Sequence, residues 1–222
     1  MDVYIIGCGG NSKVIIDICE LKKYNVVGLF DDKYDGNQIE IYKKYKLIGI
    51  IDDVFKYSQI NIINSIGDNK LRYKIYKQFS SLDFNWINCI HPNTYISSTA
   101  KIGIGNIICY GAFLNCDILI GNFNLINTYS IIEHDCLIGN FNHIAPKTTL
   151  CGTVSIGNLN LLGTGSTFIP NTKIGNKNKI GAMTVIIKEF SDNNIIVGIP
   201  GKKINLSNHL NEQSQNVIQP MF

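Results

Sequence analysis

Residues 119–150 read LIGNFNLINTYSIIEHDCLIGNFNHIAPKTTL, and an aliphatic residue returns at every sixth position: Ile120, Ile126, Ile132, Ile138, Ile144 and Leu150. Outward from this stretch the series runs back through Leu114, Ile108 and Ile102. It runs forward through Ile156, Leu162, Phe168, Ile174, Ile180 and Ile186. A period of six fits neither the 3.6-residue helix nor the two-residue strand. A second period of 18 lies over it, carried by Gly103, Gly121, Gly139, Gly157 and Gly175 and by Asn106, Asn124, Asn142, Asn160 and Asn178. Each hexad then supplies one short strand and one turn, three hexads make a coil, and coils stack ~4.8 Å apart with the aliphatic ladder inside. The expectation is a triangular β-solenoid whose repeated Gly and Asn sit where the chain turns sharply, because both tolerate left-handed backbone. Such a fold leaves a last edge to be covered. The polar tail, 205–222, is a candidate cap or a loose end.

Residues 1–90 have a different texture. Val3–Ile6 is a short apolar run broken by Gly7-Cys8-Gly9-Gly10, and Ser12 is placed to cap a helix through about Lys22. Val14, Ile15, Ile18 and Leu21 would form one apolar stripe on it. Val26–Phe30 reads as a second strand closed by Asp31-Asp32, Ile60–Ile66 as another, and Leu71–Phe79 as a helix. Strand, glycine turn, helix, strand describes a small Rossmann-like parallel α/β domain. The expected division is therefore 1–90 for the α/β domain, 91–204 for the solenoid and 205–222 for the tail.

Composition narrows the function classes. Of 222 residues, 45% are hydrophobic and 17% charged, which excludes disorder for most of the chain. Net charge is +3 and Arg72 is the one arginine, so nucleic acid is not an expected partner. Seven cysteines without a CxxC pair, and no legible secretory leader, read as reduced thiols in a cytoplasmic protein. No apolar run approaches the ~20 residues that cross a bilayer, so no membrane partner is expected either.

Gly7-Cys8-Gly9-Gly10-Asn11 before a helix, the Asp31-Asp32 pair, IIEHDCLIGNFNHIA over 131–145 and Gly198-Ile199-Pro200-Gly201-Lys202 carry a resemblance. The chain resembles the hexapeptide-repeat sugar acyltransferases of the PglD/NeuD family over about residues 2–204. The resemblance implies a left-handed parallel β-helix, a homotrimer with active sites between subunits, and acetyl-CoA as co-substrate. It implies a nucleotide-sugar acceptor held by the α/β domain through Gly7, Gly9, Gly10, Asn11, Asp31, Asp32 and Gly67, with Asn127 near the sugar. The family loop usually carries His where this chain has Asn11. His134 matches the general base, Asp135 its orienting acid, and Gly152 the backbone donor to the oxyanion. His143, Thr164, Gly181, Ala182, Pro200 and Lys202 match positions along acetyl-CoA.

The chemistry suits those residue types. An amine attacking a thioester passes through an intermediate that is anionic at oxygen and cationic at nitrogen. An imidazole, with an ordinary pKa of ~6.5, can take the departing proton at neutral pH. A neighbouring carboxylate fixes its tautomer; Asp135 is the family-matched choice and Glu133 the less favoured one. His134 and His143 are nine residues apart, half a coil, so they fall on different walls of one chain, and a trimer offers a way to reunite such walls. The bland alternatives are a tight turn at Gly7–Gly10, a solvated strand end at Asp31-Asp32 and a structural histidine. The leading expectation is N-acetylation of the 4-amino group of a UDP-linked 4-amino-4,6-dideoxy sugar, such as UDP-viosamine or a bacillosamine precursor. GDP is the alternative carrier for perosamine. O-acetylation of sialic acid is the enzymatic alternative, and a solenoid scaffold or nucleotide-sugar sensor the non-enzymatic one. A γ-class carbonic anhydrase would need three histidines from the repeats; only His134 and His143 lie there, so no metal is expected.

Overall fold

The computed structural model describes residues 1–37 and 39–204. The tail expected to cap the solenoid, 205–222, lies outside the described residues. The N-terminal unit runs β1 (Asp2–Ile6), α1 (Gly10–Leu21), β2 (Asn25–Phe30), β3 (Ile39–Tyr42), β4 (Tyr45–Gly49), a 3-10 turn (Ile51–Lys56), β5 (Asn61–Asn64), α2 (Asn69–Phe79) and β6 (Asn85–Trp86). Its sheet has the order β3-β4-β2-β1-β5-β6, parallel except where β3 meets β4. The glycine turn therefore follows the central strand, at the carboxyl edge of a parallel sheet.

Helix α1 departs from the sequence expectation. It begins at Gly10 with Gly9 as its cap, and Ser12 is fully buried with its hydroxyl donating back to the Gly9 carbonyl. Val14 and Leu21 are exposed, while Ile15, Ile16, Ile18 and Cys19 are buried. The reason is two-sided packing. The helix lies against β2 and also against the first strand of the solenoid, so its buried face is wider than one stripe and is rotated.

From Cys89 the chain winds into three walls of parallel two-residue strands. The first wall holds Cys89–Ile90, Ile107–Ile108, Leu125–Ile126, His143–Ile144, Leu161–Leu162, Lys179–Ile180 and Ile195–Val197. The second holds Tyr95–Ile96, Phe113–Leu114, Ile131–Ile132, Thr149–Leu150, Thr167–Phe168 and Val185–Ile186. The third holds Lys101–Ile102, Leu119–Ile120, Leu137–Ile138, Ser155–Ile156 and Lys173–Ile174. Successive strands of a wall pair 18 residues apart, as in Ile108 with Ile126 and Ile126 with Ile144, until the last parallel pair, Lys179 with Ile195, which is 16 apart. The second residue of each strand is the inward one, and Ile108 through Ile186 form one buried ladder. The first wall ends with Lys202–Ile204 lying antiparallel on Ile195–Val197, which covers part of its final edge.

The repeated Gly and Asn are not the left-handed turn residues. That conformation falls at every sixth position, on Asp117, Phe123, Tyr129, Asp135, Phe141, Lys147, Thr153 and Leu159 among others, with φ between 55° and 64°. Gly121 and Gly139 instead sit where successive coils touch: a Cβ there would stand 2.7 and 2.6 Å from the carbonyl oxygen of the next repeated glycine. The repeated asparagines are buried and bonded up the stack. Asn124 Nδ2 donates to the Gly139 carbonyl at 2.9 Å, and its Oδ1 accepts from the Asn142 backbone N–H at 2.8 Å. The same pattern joins Asn142 to Gly157 and Asn160 to Gly175, so the two period-18 residues are halves of one hydrogen-bonding device.

The α/β unit docks on the first wall, covering the outward residues Cys89, Ile107 and Leu125. It also covers the turn residues Phe123 and Phe141, which stack in parallel with centroids 5.1 Å apart beneath Tyr76 and Trp86. Beyond that contact the outward first-wall residues Leu161 and Lys179 are exposed.

Candidate active site

His134 follows the second-wall strand Ile131–Ile132 and stands exposed in the turn to the third wall. Its Nδ1 lies 2.8 Å from Asp135 Oδ2. A proton on Nδ1 is held there, which leaves Nε2 free to accept one. Asp135 takes the left-handed turn conformation, φ 59°, and this turn is what brings its carboxylate round to the adjacent ring. Glu133 is engaged elsewhere, accepting from Asn115 Nδ2 at 2.6 Å one coil below. One coil above, the ring rests over Gly152, where a Cβ would meet His134 Nε2 at 2.6 Å. Among the described residues no group accepts the Gly152 backbone N–H, so that donor is free beside the imidazole.

His143 belongs to another part of the surface. It is an outward residue of the first wall, with its Nε2 3.3 Å from Asn127 Nδ2. Burial, and then the nearby Arg72 charge, pull its pKa down to about 4, so it is neutral at pH 7 and accepts from Asn127. It lines a cavity of about 470 Å³ between the domains, walled by the Gly67–Lys70 turn on one side and by Leu161, Lys177 and Lys179 on the other. Thus Gly67, His143 and Asn127 come together, and His134, Asp135 and Gly152 come together. Within one chain the two groups sit on different walls. The lysines escaped the sequence reading, although Lys179 was findable: it lies two coils, 36 residues, beyond His143 in the same outward column.

At the carboxyl edge of the sheet the loops are tied to one another. Asp31 Oδ2 accepts from the Cys8 N–H at 2.9 Å, and Asp32 Oδ1 from the Ile51 N–H at 3.1 Å. Asn11 Nδ2 donates to the Ser65 carbonyl at 2.8 Å, which joins the glycine turn to the strand end before Gly67. Gly7, at φ 98°, packs against Ser65 and Ile66. At Gly9, Gly10 and Gly67, by contrast, a Cβ would meet nothing within 4 Å. The backbone at those three glycines borders open space.

Thr164, Gly181 and Ala182 stack on adjacent coils in the turns between the first and second walls; the Met183 N–H donates to the Thr164 carbonyl at 2.8 Å. The turn holding Pro200 folds over the same end: Gly201 N–H donates to the Val185 carbonyl at 2.7 Å, and Lys202 begins the closing strand. These five residues form a second corner, on the opposite side of the second wall from His134. Among the described residues, no group of three or more His, Cys, Asp or Glu gathers as a metal site, and no helix is long and apolar enough to cross a membrane.

The fold is a Rossmann-like parallel sheet followed by a left-handed parallel β-helix, the architecture on which hexapeptide-repeat acyltransferases are built. Residues 2–79 match the PglD N-terminal domain family. Perosamine N-acetyltransferase (PerB) from Caulobacter crescentus, solved with CoA and GDP-perosamine, is 29% identical, with a TM-score of 0.85 over 92% of this chain and 98% of that one. The acetyltransferase domain of PglB from Neisseria gonorrhoeae, solved with acetyl coenzyme A, is 28% identical, also at 0.85, over 91% and 98%. An uncharacterized protein of Acanthamoeba polyphaga mimivirus is 39% identical over 106 residues, 48% of this chain and 21% of that protein. This chain therefore spans about a fifth of the length of that curated relative. The chain is similar to the PglD/NeuD-type sugar acyltransferases.

Proposed function

We propose that this chain transfers acetyl from acetyl-CoA to the amino group of a nucleotide-linked 4-amino-4,6-dideoxy sugar, with His134 as general base. The observation that carries the reading is the His134–Asp135 pair beside Gly152, an imidazole oriented by a carboxylate and flanked by a free backbone N–H. The amine attacks the thioester carbon, its proton passes to His134 Nε2, the C–S bond breaks, and the same proton is returned to the departing sulfur. Asp135 stabilises the transient imidazolium, and the Gly152 N–H faces the developing oxyanion.

Support for the acceptor comes from the open glycine edge at Gly9, Gly10 and Gly67, and from the cavity that joins Gly67 to His143, which seats His143 with the acceptor rather than along acetyl-CoA and whose Lys70, Lys177 and Lys179 complement a diphosphate. The N-acetyltransferase relatives favour an amine over a hydroxyl acceptor. The donor lies along Thr164, Gly181 and Ala182 toward Pro200 and Lys202. Because this corner and His134 flank the second wall from opposite sides, the complete site forms between subunits of a homotrimer. The outward second-wall residues Tyr95 and Ile131 are exposed in one chain and are available for that contact.

The test is coenzyme A release with a panel of UDP- and GDP-linked 4-amino sugars and free sialic acid. Turnover on an amino sugar, falling by about 10²–10⁴ in His134→Ala, is the expected result. Turnover on sialic acid alone, or a His134→Ala variant as fast as wild type, overturns the reading.

A further inference from the structure

The cavity that holds His143 has its two lips on different domains, the Gly67–Lys70 turn on one and the first wall on the other. Between them lies Arg72, with no exposed surface. Its guanidinium grips both lips at once. Nη1 donates to the carbonyls of Ile66 at 2.8 Å and Gly67 at 3.0 Å. Nε donates to the Phe123 carbonyl at 2.9 Å, and Nη2 to the carbonyls of Asn142 at 3.1 Å and Phe141 at 3.3 Å. Nη2 also donates to Asn69 Oδ1 at 2.8 Å, and Asn69 Nδ2 in turn donates to the Asn160 carbonyl at 2.7 Å.

No carboxylate is among these partners. Asp68, the nearest acid, caps α2 by accepting from the Leu71 N–H. Burial pulls Arg72 down to about 10, so it stays charged at neutral pH. A buried cation with only neutral acceptors is a costly way to join two surfaces that aromatic packing already joins. What the guanidinium adds is a rigid planar fork with a fixed spacing between its acceptors.

We infer that Arg72 is a positioning residue for the acceptor: it sets the distance between the Gly67 turn and His143, whose peptide begins at the Asn142 carbonyl. This rests on the acceptor reading above. The same placement puts its charge near His143, and the other charged groups around that imidazole are Asp68 and Lys70 from the start of α2, Lys179 from the first wall and Lys177 from the turn leading into it.

The experiment compares Arg72→Lys, which keeps the charge and loses the fork, with Arg72→Met, which loses both. The full chain is used, and His143 is titrated by NMR without substrate. Arg72→Lys is expected to raise the acceptor KM at least tenfold, with the acetyl-CoA KM and kcat within twofold, and to leave His143 titrating low. Arg72→Met is expected to raise the His143 pKa by half a unit or more. An unchanged acceptor KM in Arg72→Lys overturns the inference, as does an equal rise in both KM values or a loss confined to kcat. If Arg72→Met does not fold, Asn69→Ala takes its place; it removes one grip on each side, and an unchanged acceptor KM there also overturns it. Identical His143 titration in wild type and Arg72→Met overturns the placement whether or not acetyl is transferred. A wild type that acetylates no amino sugar overturns the acceptor reading instead.

Discussion

His134 stands over a residue without a side chain, and the vacancy at Gly152 is where its imidazole fits. Gly152→Ala should therefore push the ring off Nε2's present position while leaving the turn's φ allowed, and a displacement near 1 Å costs about 10² in kcat. Steady-state kinetics read this directly; a kcat within twofold of wild type would show that the ring is not held there. His143 gives a prediction of another kind. Its folded pKa of about 4 lies below the ~6.5 of an unfolded histidine, so between those values the unfolded chain binds a proton that the folded chain refuses. Stability accordingly falls as pH drops from 6.5 toward 4, by about 3 kcal/mol when fully developed, and is untouched above that window. Denaturant melts across that range should show His143→Gln with a flatter pH dependence than wild type. Both histidines were visible in the sequence, but their surroundings were not. Gly152 is the exception, one full coil of 18 residues from His134, whereas Asn127 and Arg72 meet His143 through a turn and a domain contact that no local pattern encodes.

At the scale of elements, the period of six was legible because each hexad repeats one structural demand, an inward aliphatic beside a turn. The left-handed positions were hidden for the opposite reason. The backbone bond from each turn to the previous coil imposes that conformation on Asp, Phe, Tyr, Lys, Thr and Leu alike, so residue type carries no signal. The asparagines stand out by their spacing, but their role does not, because their partners lie one coil away. Asn124→Ala should orphan the Asn142 N–H and the Gly139 carbonyl together. At about 1–3 kcal/mol for each buried group, thermal unfolding should drop by roughly 4–8 °C or more, against almost nothing for an exposed asparagine such as Asn93. The β3–β4 hairpin escaped because it is short and turns at Lys43-Lys44, where no Gly, Asn or Pro marks a turn.

On the proposed reading the whole molecule is a scaffold that carries two half-sites on either side of one wall. Ile131 lies on that wall, facing outward, between the donor corner and the His134 corner. Ile131→Asp should convert a trimer to monomers by light scattering and abolish turnover, while circular dichroism stays native. A monomeric wild type of full activity would remove the intersubunit site. The stacked coils also set a rule for how such an enzyme can change its reach. Adding a complete coil moves everything beyond it one rung, ~4.8 Å, with every side chain still on its own face, whereas adding a single hexad rotates the remainder by one wall. Separations along this axis are thus quantised: the span from the proposed acceptor seat to the proposed donor groove is adjustable in whole rungs and in no smaller increment.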